Sequence, residues 1–129
     1  FLKNMPLFDK TIDTISKSLD LHLQRHAVIS DNIANAETPF FKARRVDFEA
    51  ELQRAVEENE VVPGVNDVQS IEAHVSQEPF SEVGQDLNTV DMDREMAAMN
   101  KNDVKYSANS QALSRKFLLL KYAIGEGER

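Results

Sequence analysis

Residues 92–124 read MDREMAAMNKNDVKYSANSQALSRKFLLLKYAI, and this stretch decides the fold. Positions separated alternately by four and three residues share one face of a helix. These positions are Met92, Met96, Met99, Asp103, Tyr106, Ser110, Leu113, Phe117, Leu120 and Ile124. All but Asp103 and Ser110 are apolar, so the spacing predicts a long helix with a coiled-coil-like stripe. The three methionines are either core residues or an adaptable binding surface.

The residues around this stretch indicate both ends of the helix. Thr89 or Asp91 can cap the first turn, and Gly125 is expected to end the last one. A helix from Met92 to Ile124 would be roughly 50 Å long at about 1.5 Å per residue. One small globular core cannot cover that length.

A second stripe runs through the N-terminal part of the chain. Its members follow the same three- and four-residue steps, and they are Phe8, Ile12, Ile15, Leu19, His22, His26, Ile29 and Ile33. Pro6 suits the first turn of a helix, whereas Pro39 keeps the residue before it out of the helical conformation. The pattern predicts an N-terminal helix over residues 6–36.

The segment between the stripes, residues 37–90, is a loop followed by a variable region with weaker patterning. Around Val46 and Phe48 apolar and charged residues alternate, which is typical of an extended chain, and residues 49–58 fit a short helix. Residues 59–90 are interrupted by proline, glycine and asparagine. We expect a loop there with room for a short β-hairpin; disorder in the isolated chain is the alternative.

The two stripes can satisfy each other if the helices over 6–36 and 91–125 pair in opposite directions. We therefore predict one domain over residues 1–129 of the mainly α class. Its two long terminal helices form an antiparallel, coiled-coil-like hairpin, and its irregular middle segment has room for a short β-hairpin.

Both helices also carry apolar residues outside the predicted seam, so their apolar surface is wider than a two-stranded contact covers. These residues are Leu21, Leu23 and Val28 in the first helix and Val104, Leu118 and Leu119 in the last. Two interpretations are open. Either further protein partners cover these residues, or the residues pack under the middle segment of an ordinary monomeric bundle.

The formal net charge of −7 is concentrated in the middle of the chain. Residues 61–91 contain six Asp or Glu and no Lys or Arg, so nucleic acid is not an expected partner. The absence of cysteine removes disulfides and thiolate metal sites. No apolar run reaches the roughly 18 to 20 residues of a membrane span. We expect a soluble chain without membrane insertion and without a cleaved signal peptide.

His22 and His26 stand four residues apart, a spacing that lets two imidazoles share a metal ion. Arg25 lies between them and no carboxylate is in register, so seam or surface histidines are the favoured interpretation. Helix capping explains Asp91 and Asp93 without a bound cation. The sequence has no Gly-rich phosphate loop and no nucleophile motif. We predict no catalytic, cofactor-binding or metal-ligating residue, no small-molecule substrate, and a protein that is not an enzyme.

The exit of the first helix carries the motif Asp31-Asn32-Ile33-Ala34-Asn35-Ala36-Glu37-Thr38-Pro39-Phe40-Phe41-Lys42. It resembles the signature of the bacterial flagellar axial proteins, the family of rod, hook and hook-associated subunits. In that signature Asn-Ile-Ala-Asn is followed by Thr-Pro, usually a Gly, an aromatic residue and Lys. The match departs at Phe40, where the family usually has glycine, so the tight turn expected there would be built differently.

The start of the last helix strengthens the resemblance. Residues 90–96, Val-Asp-Met-Asp-Arg-Glu-Met, are similar to the Val-Asp-Leu-Asp-Arg-Glu-Met run of proximal rod proteins in this family. Residues 43–48 fit the segment that follows the signature, and the hook and distal-rod members have larger centres than this chain. The resemblance implies a structural subunit of the proximal rod in the flagellar basal body, needed for motility.

The resemblance also implies how the subunit reaches its place. It would pass through the flagellar type III export apparatus unfolded or partly folded, without a cleaved signal, and self-assemble helically in the periplasmic rod. Its partners would be other axial rod proteins and basal-body components, and its terminal helices would line the inner tube. The residues expected to carry assembly are Ile12, Ile15, Leu19, Ile29, Asn32, Ile33, Asn35, Thr38, Pro39, Met92, Met96, Met99, Tyr106, Leu113, Phe117 and Leu120.

Four polar residues interrupt the predicted seam: His22, His26, Asp103 and Ser110. A polar residue at a seam position lowers the stability of a coiled coil and helps to set its register. Our hypothesis is that these residues weaken premature helix pairing before assembly.

A regulatory or adaptor protein is the alternative from a different class. Such a helical hairpin would bind one partner as a discrete oligomer of fixed stoichiometry. A rod subunit would instead polymerise or bind neighbouring axial proteins.

Overall fold

The computed structural model describes residues 6–58, 68–78 and 86–126. Its elements, in chain order, are α1 (Pro6–Ala34), β1 (Arg44–Asp47), α2 (Glu49–Glu58), a 3-10 turn (Val68–Ser70), β2 (His74–Gln77) and α3 (Met92–Glu126). Within these ranges, no helix combines the length and the apolar character that crossing a membrane requires. The described chain is mainly helical, as predicted, with a small sheet in its middle.

Local hydrogen bonds mark the start of α3 and the end of α1. At the start of α3, the Arg94 N–H donates to Asp91 Oδ1 at 3.3 Å, which is the predicted cap. At its other end α3 continues through Gly125 to Glu126, so the prediction that Gly125 ends the helix is wrong. The last turn of α1 tightens, because the Asn35 N–H donates to the carbonyl oxygens of Asp31 and Asn32. The helix therefore ends at Ala34, and residues 35–37 form a turn.

The two long helices pack side by side in opposite directions. Hydrogen bonds join Asn32 to Glu95, His22 to Asn102 and Ser18 to Asn109. Residue numbers fall along α1 as they rise along α3, so the predicted antiparallel pairing of the terminal helices is confirmed.

β1 and β2 form a two-stranded antiparallel sheet in which Val46 lies opposite Val75. A tight hairpin turn does not join them, because α2 and the 3-10 turn lie between them in the chain. The alternating pattern around Val46 did indicate a strand. The small β element is present, but it is built from distant segments.

The apolar core lies between α1 and the middle segment. Its buried residues are Leu21, Val46, Phe48, Ala55, Val68 and Ile71, with Val28, Leu52 and Ala73 packed against them. In α1, the off-seam residues Leu21 and Val28 therefore pack under the middle segment, which was one of the two interpretations.

The off-seam residues of α3 behave differently. Val104, Leu118 and Leu119 are 69%, 49% and 58% exposed. The described part of the middle segment leaves them exposed, so the interpretation that further partners cover apolar surface stays open for α3.

Candidate functional site

A polar heptad series makes the contact between α3 and α1. Glu95, Asn102 and Asn109 are spaced by seven residues, and each hydrogen-bonds to α1. Glu95 is 0% and Asn102 2% exposed. Seven-residue spacing keeps these side chains on one face of α3. Hydrogen bonds between polar side chains are therefore part of the contact between α1 and α3.

The prediction that the apolar stripe of α3 faces α1 is wrong at both ends of the helix. Exposed members of the stripe are Met92, Met96, Phe117 and Ile124, and half-buried members are Met99, Tyr106, Leu113 and Leu120. The polar series occupies the contact face, so the stripe lies beside it. Apolar periodicity alone gives no weight to buried Asn and Glu, although their seven-residue spacing could have indicated them.

His22 and Asn102 bond to each other twice. Asn102 Nδ2 donates to the His22 carbonyl oxygen at 2.9 Å, and His22 Nδ1 lies 2.8 Å from Asn102 Oδ1. An amide oxygen can only accept, so Nδ1 is the donor. The imidazole also meets the Phe48 ring edge-on, with 5.0 Å between centroids. His22 thus joins the polar seam to the apolar core.

Burial lowers the pKa of His22, and the hydrogen bond that its ring donates to Asn102 only partly opposes this effect. The unfolded chain therefore binds this proton at a higher pH than the folded chain does. The contribution of His22 to the free energy of unfolding is therefore fully present above pH 6.5, its usual pKa. This contribution is lost as the pH falls toward the lower pKa that His22 has in the folded chain.

We expect His22→Gln to lose part of this acid sensitivity. The free energy of unfolding can be measured by urea denaturation and circular dichroism at about pH 7.5 and about pH 5.5. The decrease on acidification should be smaller in His22→Gln than in the wild type. His26→Gln is the matched control, because the His26 ring is exposed and lies 3.2 Å from Asp103. Equal pH dependence in wild type and His22→Gln would refute the assignment.

Asn32, the first asparagine of the motif, is fully buried and joins three elements. Its Nδ2 donates to the Arg44 carbonyl oxygen at 2.8 Å and to Glu95 Oε2 at 3.1 Å. Its Oδ1 accepts from the Arg44 N–H at 3.0 Å. This bonding needs a donor and an acceptor in one short side chain, which asparagine supplies. The end of α1 is thereby tied to β1 and to the first turn of α3.

Glu95 is a buried carboxylate within a charge cluster. Its Oε1 lies 2.6 Å from Arg45 Nη2, and Arg45 Nε donates to Glu78 Oε1 at 2.8 Å. Arg94 also pairs with Glu78. Burial alone would lower the pKa of Arg45, but the hydrogen bonds to Glu95 and Glu78 raise it above its usual value. Arg45 therefore places a positive charge beside the buried Glu95 carboxylate.

The other polar residues of the motif bond to the segment before α3. Asn88 Nδ2 donates to the carbonyl oxygens of Asn35 and Thr38, at 2.8 and 2.7 Å. Thr89 Oγ1 accepts from the Ala43 N–H at 2.7 Å. The bonds from Asn88 give the carbonyl oxygens of Asn35 and Thr38 a second donor, in addition to the N–H groups of Thr38 and Phe41. The motif and the start of α3 hold each other in place.

Phe40 has a left-handed backbone conformation, with φ at 65°. This is the position at which the resembled family usually has glycine. The Phe40 N–H donates to the Asp86 carbonyl oxygen at 3.0 Å, and the side chain is 69% exposed. A Cβ in this conformation is unfavourable by about 1 to 2 kcal/mol. The chain therefore keeps the glycine-type turn and carries its strain.

We expect Phe40→Gly to raise the free energy of unfolding by about 0.5 to 1 kcal/mol, since relief of strain exceeds the backbone entropy that glycine loses on folding. Thermal unfolding followed by circular dichroism measures the gain. Phe40→Ala removes the same ring and keeps the Cβ, so it should give no gain. A gain of equal size in both variants would show that the exposed ring, and not the backbone, was unfavourable.

The residues expected to carry assembly fall into three groups. Buried within the chain are Ile29 and Asn32. Half-buried are Ile12, Ile15, Leu19, Ile33, Asn35, Met99, Tyr106, Leu113 and Leu120. Exposed are Thr38, Pro39, Met92, Met96 and Phe117. The motif residues gather at one end of the helical hairpin, where they organise the fold.

The last three turns of α3 expose apolar side chains around most of the helix. Phe117, Leu118, Leu119, Tyr122 and Ile124, which we call the distal α3 surface, are each between 49% and 63% exposed. A helix that is apolar on all sides is normally buried. Exposed apolar surface of this kind marks an interaction site.

The described residues contain no group of three or more His, Cys, Asp or Glu side chains that could hold a metal ion. His22 and His26 instead bond to Asn102 and Asp103 of α3. The arrangement joins helices together and exposes apolar surface.

No family model matches the chain. Curated proteins named flagellar basal body rod protein FlgB are similar to most of it. The Escherichia coli (strain K12) protein is 34% identical over 111 residues, which cover 76% of the chain and 80% of the relative. The Proteus mirabilis protein is 34% identical over 134 aligned residues, covering 88% and 98%. The Bacillus subtilis protein is 29% identical over 131 aligned residues, covering 96% and 100%.

Proposed function

Because the chain belongs to the FlgB family of flagellar basal body rod proteins, and is thus a structural subunit of that rod, we propose that it assembles helically through its terminal helices in the proximal rod. Export through the flagellar type III apparatus would deliver it to the periplasm without a cleaved signal peptide. Its partners would be the neighbouring axial proteins. Neither the relatives nor the described contacts favour an adaptor protein.

The distal α3 surface is the observation that carries this proposal. Its five large apolar side chains lie within eight residues and are about half exposed or more. Burial of apolar surface stabilises a protein by roughly 25 cal/mol per Å². Covering this surface with neighbouring subunits would therefore favour assembly strongly.

The polar residues between α1 and α3 support the proposal that the chain is exported through a narrow channel. Hydrogen-bonded Asn and His side chains hold helices together less strongly than packed apolar residues would. Within the seam these residues are His22, Asn102 and Asn109. We therefore assign the weakening of premature pairing to them rather than to His26, Asp103 and Ser110. Asp103 lies at the exposed edge, and Ser110 is half-buried.

Fractionation of basal bodies from the source bacterium tests the rod assignment. The protein should co-purify with basal bodies, and deletion of its gene should abolish motility and leave basal bodies without a rod. In a strain lacking the flagellar export apparatus, the protein should stay in the cytoplasm. A motile deletion strain would refute the proposal.

A double substitution tests the role of the terminal helix. Leu118→Asp with Leu119→Asp should yield a folded protein that fails to enter basal bodies, because it places charge on an exposed assembly surface. Gln111→Asp, at an exposed polar position of the same helix, is the control and should assemble. Normal assembly of the double variant would argue against the distal α3 surface.

A further inference from the structure

The second half of α3 is the positively charged part of an acidic protein. Residues 104–125 contain Lys105, Arg115, Lys116 and Lys121, and no Asp or Glu. This stretch carries +4, and the whole chain carries −7, so the remaining residues carry −11. Two copies that met through the same half of α3 would bring like charges together. The charge distribution favours contact between α3 and a different, acidic surface of another copy.

An acidic surface with an apolar groove lies on α2. The helix has four Glu and one Arg. Between α1 and α2 lies a groove of about 340 Å³, whose lining includes the apolar residues Phe48, Leu52 and Val56 and the polar residues Gln53, Glu57 and Lys105. Its volume is roughly twice that of a ~150 Å³ cavity that admits a benzene ring. One or two large side chains would therefore fit.

The charge of α2, beside this groove, suits a basic partner surface. Arg25 pairs with Glu49 and, with hydrogen bonds to the backbone, holds the pKa of Glu49 at about 2 although burial would raise it. Glu51 and Glu57 are exposed carboxylates with no ion-pair partner among residues 6–58, 68–78 and 86–126. Lys105 is the one cation in the groove lining. Two further cations lie near the groove, because Lys10 Nζ donates to the Val56 carbonyl oxygen at 3.3 Å and Arg54 belongs to α2. The acidic character therefore comes from α2 itself, whose sequence has four Glu against one Arg.

The distal α3 surface cannot fill the groove of its own chain. Lys105 lines that groove, and Phe117 follows Lys105 by twelve residues in the same helix. At about 1.5 Å per residue the two positions are roughly 18 Å apart along a rigid helix. A distal α3 surface that fills the groove must therefore belong to a second copy.

We propose that the distal α3 surface of one copy, led by Leu118 and Tyr122 and flanked by Arg115 and Lys121, docks into the groove between α1 and α2 of the next copy. The proposal rests on the rod function proposed above. The two surfaces differ, so the contact is heterologous, and repeated use of it builds an open helical array instead of a closed dimer.

Reciprocal charge reversal tests the contact with purified full-length protein. Arg115→Glu with Lys121→Glu changes α3, and Glu51→Lys with Glu57→Lys changes α2. Each variant alone should self-associate at least about tenfold more weakly than wild type in sedimentation, because like charges meet at the contact. An equimolar mixture should regain association, since the reversed α3 of one variant matches the reversed α2 of the other. Circular dichroism shows that each variant is folded.

Other outcomes would overturn the proposal. Wild-type association in the α2 variant would indicate contact between α3 helices, and no recovery in the mixture would indicate unrelated surfaces. Wild type that stays monomeric at every accessible concentration would also overturn it. None of these results affects the rod assignment, because that assignment is tested separately by co-purification with basal bodies.

Engineered thiols provide a second measurement, since the chain has no cysteine. Copies carrying Tyr122→Cys, mixed with copies carrying Gln53→Cys, should form mixed crosslinks with a short bis-maleimide. Copies carrying His74→Cys, an exposed position on β2, serve as the control partner. Crosslinking to His74→Cys as efficient as crosslinking to Gln53→Cys would contradict docking in the groove.

Discussion

Glu95→Gln is expected to lower the free energy of unfolding by about 3 kcal/mol, although it replaces one oxygen by an NH₂ group. Glu95 is fully buried and lies 2.6 Å from Arg45. Removing its charge leaves a partly buried guanidinium with Glu78 as its one remaining carboxylate among the described residues. Loss of one member of a buried ion pair costs about 3 to 5 kcal/mol, and the contact with Glu78 places this case at the lower end.

Urea denaturation followed by circular dichroism measures this loss. Asp93→Asn makes the same chemical change two residues earlier, at an exposed position, and should cost no more than about 0.5 kcal/mol. The double variant Arg45→Met with Glu95→Leu should be more stable than Glu95→Gln, because it removes both charges and leaves neither unpaired. A Glu95→Gln protein as stable as Asp93→Asn would show that the ion pair contributes little.

A loss of this size in the free energy of unfolding would also lower the amount of folded protein available for the rod. Single domains are typically stable by 5 to 15 kcal/mol. Glu95 also accepts a hydrogen bond from Asn32, so it belongs to the junction that sets the direction of α3 relative to α1. We expect Glu95→Gln cells to contain less rod protein, and their motility to be reduced.

The long helices could be predicted from sequence because their signals are local. Apolar spacing, Asp91 before the first turn and Pro39 beyond the first helix act over a few residues each. The antiparallel pairing also followed, since two stripes of similar length leave few other ways to bury them.

The face that each helix presents could not be predicted in the same way. Leu21 and Val28 pack under a middle segment whose position depends on the pairing of β1 with β2. On α3, Asn102 faces α1 because His22 offers it both a donor and an acceptor. The buried face of each helix thus depends on contacts between residues far apart in the chain. Apolar periodicity contains no information about such contacts.

The motif of residues 31–42 identified the family without revealing what its side chains do. The resemblance marked Asn32, Asn35 and Thr38 as assembly residues, yet within the chain Asn32 is fully buried and bonded to Arg44 and Glu95. Through the buried Asn32, the motif ties the end of α1 to β1 and to the first turn of α3. Its glycine position illustrates the same point, since Phe40 keeps the left-handed conformation without the residue that favours it.

Asn32→Ala is expected to lower the free energy of unfolding by about 3 to 4 kcal/mol. The substitution leaves the Arg44 N–H, the Arg44 carbonyl oxygen and Glu95 Oε2 each short of one partner. An unsatisfied buried group costs about 1 to 3 kcal/mol, and Arg44 is partly accessible to water, so the three losses do not add fully.

Asn35→Ala, three residues later in the motif, is the matched control. It removes bonds at the partly exposed end of α1 and should cost about 1 kcal/mol. Urea denaturation of the two variants compares them directly. If Asn35→Ala proved as damaging as Asn32→Ala, the buried junction would not be the reason for the motif, and capping of α1 would be.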